Sequence, residues 1–113
     1  MGPQYVTLPT KVGKSWAERY IKGYGSLQHW TSFSYDAVLL LKAAIEKAGT
    51  FDTTKVCSAM ETVTVDGCLG KVSYGGKKVF GLDRAFILDV GVVQIVNGKE
   101  TEVHHGYAKR WRK

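Results

Sequence analysis

An aromatic pair beside a predicted helix start is the feature of this sequence best suited to binding a small molecule. Trp30 and Phe33 lie where a loop leads into a strongly patterned helix. The first turn of a helix presents backbone N–H groups that attract anions such as carboxylates, and aromatic side chains beside it can wall a small organic ligand. Phe33 also lies on the apolar stripe of that helix, so it is equally a core candidate. Trp30 lies outside the helix and is the stronger candidate for ligand binding.

The residue types that carry catalysis or hold metals do not form recognisable patterns. The chain has no phosphate-binding loop, no dinucleotide-binding glycine fingerprint, no His-Glu-x-x-His and no Cys-x-x-Cys. His104 and His105 are adjacent, and adjacent residues of a strand point to opposite faces, so the pair does not favour one shared ion. No spacing joins Cys57 or His29 to a nucleophile–base arrangement. The sequence predicts a protein that is not an enzyme and uses no metal or cofactor.

The two cysteines leave their pairing open. Cys57 and Cys68 are 11 residues apart. In an oxidising compartment a disulfide between them would close a short loop and add about 2–3 kcal/mol of stability. The alternative is one buried helix thiol and one loop thiol, unpaired, because the sequence does not give the Cα separation that a disulfide needs.

Basic residues concentrate at the C-terminus. The chain has 16 Lys and Arg against 10 Asp and Glu, and four of the cations lie in residues 109–113, so the rest is nearly balanced. Tyr107 and Trp111 interleave with these cations, a pattern that binds phosphate backbones and stacks on bases but also occurs in plain solubilising ends. The body has no matching basic stripe, which disfavours nucleic acid as a partner. A standalone α+β module whose tail binds nucleic acid or an acidic partner is nevertheless the alternative function.

Three helices are predicted in the first half of the chain. Ser15 and Glu18 have the form of a capping box, which predicts a helix over 15–23 that stops at Gly23 or Gly25. Apolar residues at spacings of three and four predict the clearest helix, over 32–48. Thr31 or Ser32 can cap its start, Gly49 can end it, and Asp36 is expected in its first turn, where the helix dipole favours an anion. Asp52 is expected to open a third helix, over 53–61.

Strands are predicted in the second half, where β-branched residues and glycines dominate. The best strand covers 85–96, a shorter one covers 72–74, and Asn97-Gly98 predicts a type I′ hairpin turn into a returning strand over 100–103. The 113 residues fit one domain-sized unit, and no apolar run approaches the roughly 20 residues that a membrane span needs. Residues 1–5 lack the cationic start and apolar stretch of a signal peptide.

The order of several motifs resembles a known family. The motifs are Ala17-Glu-Arg-Tyr20 with Tyr24-Gly25, Ser34-Tyr-Asp-Ala-Val-Leu-Leu-Leu41 with Ala44-Ile45-Glu-Lys-Ala48-Gly49, Asp52 with Val56 and Ala59-Met60, Gly70-Lys-Val-Ser-Tyr74, and Val93-Gln-Ile-Val-Asn-Gly-Lys99. Over about residues 13–100 they resemble the C-terminal part of the periplasmic substrate-binding proteins of branched-chain amino acid ABC transporters. Lys71 departs from the proline common in the family's Gly-x-Val strand, and Gly75-Gly-Lys-Lys78 replaces its Asp-x-x-Gly turn.

The resemblance implies an α/β fold, as a fragment of the type I periplasmic-binding-protein fold that is α+β when taken alone. Residues 1–12 would be an arm or short strand, 13–106 a partial substrate-binding domain and 107–113 a basic tail. Family members are much longer and place two lobes around a hinge. We therefore expect this fragment to leave apolar helix faces uncovered, and to form a homodimer or swap strands.

The resemblance also implies a function. The chain would belong to an extracytoplasmic solute-binding component of an ABC importer, periplasmic or extracellular, with its signal peptide outside this chain. It would hold an amino acid or a similar small organic acid or amide in the interlobe cleft and deliver it to a permease. The loop before the Tyr-Asp-Ala helix faces the cleft in such proteins, which assigns the ligand wall to Trp30, with Ser32 and Phe33 as neighbours. Export would make a Cys57–Cys68 bridge more plausible.

Overall fold

Three helices come first along the chain, and the strands follow with one short helix among them. A computed structural model describes residues 8–27 and 30–106. Its elements are α1 (Lys11–Tyr24), α2 (Thr31–Ala48), α3 (Thr53–Met60), β1 (Thr64–Gly67), β2 (Gly70–Gly75), α4 (Lys77–Phe80), β3 (Ala85–Ile87), β4 (Val90–Val96) and β5 (Lys99–Gly106). The predicted mixture of helices followed by strands is confirmed. The basic tail and most of the N-terminal arm lie outside the described residues.

Helix α1 begins four residues before the predicted capping box. Thr10 is its N-cap: the Thr10 hydroxyl accepts a hydrogen bond from the Gly13 N–H at 2.9 Å and donates one to the Gly67 carbonyl at 2.8 Å. The capping-box prediction is therefore wrong, and Ser15 lies inside the helix. The helix ends before Gly25, whose φ of 83° suits glycine. The contact with Gly67 fixes the start of α1 against β1, far along the chain.

Helix α2 buries a narrower face than the sequence predicts. Its fully buried residues recur at intervals of four: Ser32, Asp36, Leu40 and Ala44. Ala37 and Leu41, which belong to the predicted apolar stripe, are exposed, as is Val38. The helix ends at Gly49 in the left-handed conformation, as predicted, but neither Thr31 nor Ser32 is the N-cap, which is Trp30. A second apolar strip thus lies on the outer side of α2.

Helix α3 follows its predicted start closely. The Asp52 carboxylate accepts a hydrogen bond from the Lys55 N–H at 3.0 Å, so the predicted cap is confirmed. Val56 and Ala59 face the interior, and the helix packs against α2. Helix α2 in turn packs against β1 and β2.

The strands form two separate antiparallel units. One sheet has the order β1-β2-β3, and β4 pairs with β5 in a two-stranded hairpin. The predicted single strand over 85–96 is therefore wrong, because the chain leaves the first sheet after Ile87 and starts the hairpin at Val90. The predicted turn is confirmed, with positive φ at both Asn97 and Gly98. The returning strand β5 is longer than the sequence predicts.

The core lies between the first three helices and the β1–β2 pair. Its buried members are Leu8, Trp16, Ala17, Leu40, Ala44, Val56, Ala59, Val63, Cys68, Leu69 and Val72. Strands β4 and β5 contribute no member to this cluster. Among the described residues, no helix has both the length and the apolar character needed to cross a bilayer.

Candidate ligand-binding surface

Trp30 lies at the N-terminus of α2 and is 72% exposed. Its carbonyl accepts the first hydrogen bond of the helix, from the Ser34 N–H at 3.4 Å, and its side chain makes no capping bond. The indole ring lies 5.7 Å from the ring of Phe33, centroid to centroid. Phe33 therefore packs against a large aromatic ring that is mostly exposed.

Two further rings extend this contact across the sheet. Phe33 lies 6.5 Å from Phe86 on β3, and Phe86 lies 5.9 Å from Tyr74 on β2. Tyr74 and Phe86 are direct partners in the antiparallel register. Since cross-strand partners share a face of the sheet, the strand pairing itself brings these two rings together. We call Trp30, Phe33, Phe86 and Tyr74 the aromatic row.

The far end of the aromatic row borders a small opening. The opening has a volume of about 190 Å³ and is lined by Cys57, Met60, Glu61, Tyr74, Asp83 and Arg84. Arg84 donates to Glu61 at 3.2 Å, and the Asp83 carboxylate accepts from the Lys77 N–H at 3.1 Å. The charged groups at this end thus already have protein partners, one a side chain and one a backbone N–H, whereas the Trp30 end presents ring surface.

Ser32 lies on the opposite side of the first helical turn. It is 6% exposed and belongs to the buried face of α2. At the same end of the helix Trp30 and Ser34 are exposed, and Thr31 and Phe33 are half-buried. A contact between Ser32 and a ligand remains a prediction.

Asp36 fixes the start of α2 to the β1–β2 turn. Its carboxylate is fully buried and accepts hydrogen bonds from the backbone N–H groups of Cys68, at 2.7 Å, and Leu69, at 3.0 Å. Burial raises the pKa of Asp36, and the two hydrogen bonds counteract part of that effect. A Cβ on Gly67 would collide with this carboxylate. Asp36 lies in the second turn, so its predicted place in the first turn is wrong.

Both cysteines are free thiols in the structure. Cys68 is enclosed in the turn beside Asp36, whereas Cys57 lines the opening near Tyr74, and a disulfide between them stays a prediction. Burial, and secondly the nearby Asp36 carboxylate, raise the pKa of the Cys68 thiol to about 12. Since the thiolate is the reactive form, Cys68 is a packing residue.

A second aromatic group joins α1 to α2. The Trp16 ring lies 5.2 Å from Tyr20 and 5.8 Å from Tyr35, and Tyr20 lies 4.8 Å from Tyr24. With Arg19 these rings line a shallow opening of about 210 Å³. The adjacent rings of Trp16 and Tyr20 on α1 therefore pack this helix against Tyr35 of α2. Within residues 8–27 and 30–106, no three His, Cys, Asp or Glu side chains gather in a metal-binding group.

The class of protein follows from comparison with known families. The periplasmic binding protein family matches residues 1–100, which is most of the chain. This chain belongs to the periplasmic binding protein family. Proteins of this class bind small molecules and are generally not enzymes. A search of curated proteins found no match.

The sequence indicated only half of the aromatic row. Trp30 and Phe33 could be found because they lie three residues apart at a helix start. Tyr74 and Phe86 could not be connected to them, because the contact depends on the pairing of β2 with β3. The alternation of apolar and polar residues along a predicted strand is the one signal that could have placed Tyr74 on a half-buried face.

Proposed function

We propose that this chain forms part of the ligand-binding cleft of an extracytoplasmic solute receptor that feeds an ABC importer. The ligand is an amino acid or a similar small organic acid or amide, with branched-chain amino acids as the first class to test. Residues 13–106 contribute one wall of the cleft, and the remainder of the two-lobed fold contributes the other. Membership of the periplasmic binding protein family supports this proposal.

The exposed ring of Trp30 is the observation that carries the proposal. An indole that is 72% exposed keeps a large apolar ring surface accessible, and burying that surface against a ligand would stabilise the complex. The adjacent first turn of α2 carries the positive end of the helix dipole, which favours a carboxylate. The ring face can accept an apolar side chain or an ammonium group. An amino acid carries all three groups on one small molecule.

The proposed mechanism is capture by closure of the cleft. Ligand bound against Trp30 would favour the closed arrangement, in which the second wall covers it, and would shift the population towards that state. The closed form is then the one presented to the permease. Binding requires no covalent step, so this role needs neither a catalytic residue nor a cofactor.

Calorimetric titration tests this function on the complete product of the reading frame that encodes this chain. The ligands are the twenty amino acids, their amides and a set of aromatic acids. We expect one chemical class of these ligands to bind, and we expect Trp30→Ala to weaken the binding of that class at least tenfold. Phe51→Ala is the matched control, because Phe51 is 85% exposed beyond the other end of α2, and it should bind normally. Binding that is absent across the panel, or equal in Trp30→Ala and the parent, would overturn the proposal.

A further inference from the structure

Phe86 on β3 is connected to Trp30 by a series of ring contacts. Its ring centroid lies 6.5 Å from that of Phe33, and the Phe33 ring lies 5.7 Å from that of Trp30. Phe33 and Phe86 are both half-buried and pack against the core, whereas Trp30 is 72% exposed. The contacts therefore lead from the packed part of the molecule to the exposed ring on which the proposed function depends.

The position of Phe86 is fixed by the pairing of β3 with β2. Tyr74 is its direct cross-strand partner, and the two rings lie 5.9 Å apart. The next residue of the strand, Ile87, is 3% exposed and pairs with Ser73. Since neighbouring residues of a strand point to opposite faces and cross-strand partners share a face, Phe86 lies with Tyr74 on the face opposite to Ile87. Backbone pairing, and not the helix that carries Trp30, sets where this ring lies.

An exposed ring such as that of Trp30 binds a ligand best when its orientation is already restricted. A side chain that samples several rotamers must be immobilised on binding, which weakens affinity by about two- to tenfold for each such side chain. Aromatic pairs attract one another at centroid distances of about 4.5–7 Å, and both contacts of Phe33 lie in this range. Contacts that restrict the indole before binding therefore preserve affinity.

We propose that Phe86 is a positioning residue for ligand binding, which through Phe33 holds the Trp30 ring in the orientation that the ligand meets. This inference rests on the function proposed above. It adds that a residue of the sheet, far from Trp30 along the chain, helps to set the affinity without contact to the ligand. The aromatic ring is the part of Phe86 that matters, because leucine keeps an apolar contact but removes the ring that Phe33 packs against.

The first test compares ligand affinity between the complete product of the reading frame and its variants. The probe is the member of the calorimetric panel that the parent binds most tightly. Phe86→Leu should weaken binding about two- to tenfold, and Phe86→Tyr, which keeps the ring, should bind like the parent. Tyr35→Leu is the matched control: Tyr35 is also half-buried, but its ring contacts Trp16 at 5.8 Å in the other aromatic group. It should bind normally, and circular dichroism checks that each variant is folded.

A double-mutant cycle tests whether Phe86 acts through Trp30. Trp30→Leu removes the indole, so adding Phe86→Leu to this variant should weaken binding little further. A loss as large as the one that Phe86→Leu causes in the parent would mean that Phe86 affects binding by another route, and it would overturn the inference.

The Trp30 ring itself gives a readout that needs no ligand. Fluorinated tryptophan gives a separate fluorine NMR signal for each tryptophan position, and the Trp30 signal is the one that disappears in Trp30→Phe. Phe86→Leu should shift this signal, because the surroundings and the orientation of the ring change, and Tyr35→Leu should leave it in place. A Trp30 signal that is unchanged in Phe86→Leu overturns the inference.

The outcomes separate this inference from the proposed function. If the parent binds a ligand and Phe86→Leu binds it equally well, the inference alone fails. It also fails alone if Tyr35→Leu binds as weakly as Phe86→Leu, because the loss would then follow from general destabilisation. If the parent binds nothing in the panel, the proposed function fails and this inference fails with it.

Discussion

Asp36 holds two elements together through a single side chain. Its carboxylate occupies the space beside Gly67 and accepts from two consecutive backbone N–H groups, so α2 and the β1–β2 turn are fixed to each other at one point. Asp36→Ala would leave both buried N–H groups without an acceptor, and we expect a loss of about 2–5 kcal/mol in the free energy of unfolding. Urea denaturation measures this loss.

The exposed Asp66 provides the comparison for Asp36. Asp66 pairs with Lys71 at 2.8 Å on the surface, so Asp66→Ala should cost no more than about 1 kcal/mol. Equal losses in the two variants would mean that the buried hydrogen bonds of Asp36 contribute no more than a surface ion pair.

The same carboxyl group gives stability a defined pH dependence. Burial raises the pKa of Asp36 above its value in the unfolded chain. The folded state therefore binds the proton more tightly, and the stability that this group contributes through protonation is lost as pH rises through the folded pKa. The stability difference between the parent and Asp36→Ala should narrow as pH rises from about 4, and a widening difference would contradict the raised pKa.

Single residues were predictable where their effect is local. Asp52, Gly49 and Asn97 act on backbone groups within a few positions of themselves, and the structure has each in its predicted role. Asp36 was recognised as an acid near a helix start, but its partners lie 32 and 33 positions away. No local pattern contains that information.

At the scale of elements, tertiary contacts determine where the helices and strands begin and end. Ser15 and Glu18 offer a capping box, yet Thr10 caps α1 because its hydroxyl also reaches the Gly67 carbonyl. The apolar run over 85–96 reads as one strand, but its first residues pair with β2 and its last with β5. Whether a segment forms a helix or a strand could be predicted from its own residues. Where α1 begins and where the strands divide depends instead on the distant segments that they contact.

The β4–β5 turn is an element whose conformation depends on one glycine. Gly98 has a φ of 75°, a region costly for residues with a Cβ, so Gly98→Ala should destabilise the hairpin by about 1–2 kcal/mol. Hydrogen exchange of the β4 and β5 amides reports this loss directly. Gly23→Ala is the opposite case: it lies within α1 with open space around a new Cβ, and it should stabilise that helix by about 0.5–1 kcal/mol. Unchanged exchange in β4 and β5 would show that Gly98 is not needed for the turn.

At the scale of the whole molecule, the described chain covers only part of its apolar surface. The core lies on one side of α2, while Val38 and Leu41 on the other side and the aliphatic residues of β4 face solvent. Under the function proposed above, the remainder of the two-lobed fold would pack against such faces, and this would account for the apolar outer strip of α2. The sequence predicted a broader buried stripe than the structure has, because Ala37 and Leu41 are exposed.

The outer strip of α2 should therefore be dispensable for the stability of this chain. Val38→Gln with Leu41→Gln replaces two exposed apolar side chains with a good helix former, so the free energy of unfolding should change by less than about 0.5 kcal/mol per site. Leu40→Ala, one position away on the buried face, should cost about 2–5 kcal/mol. Thermal and urea unfolding of the three proteins at equal concentration compare these values. A loss above 2 kcal/mol in the double variant would mean that the strip is already covered in solution, and that α2 does not present an open face to the rest of the fold.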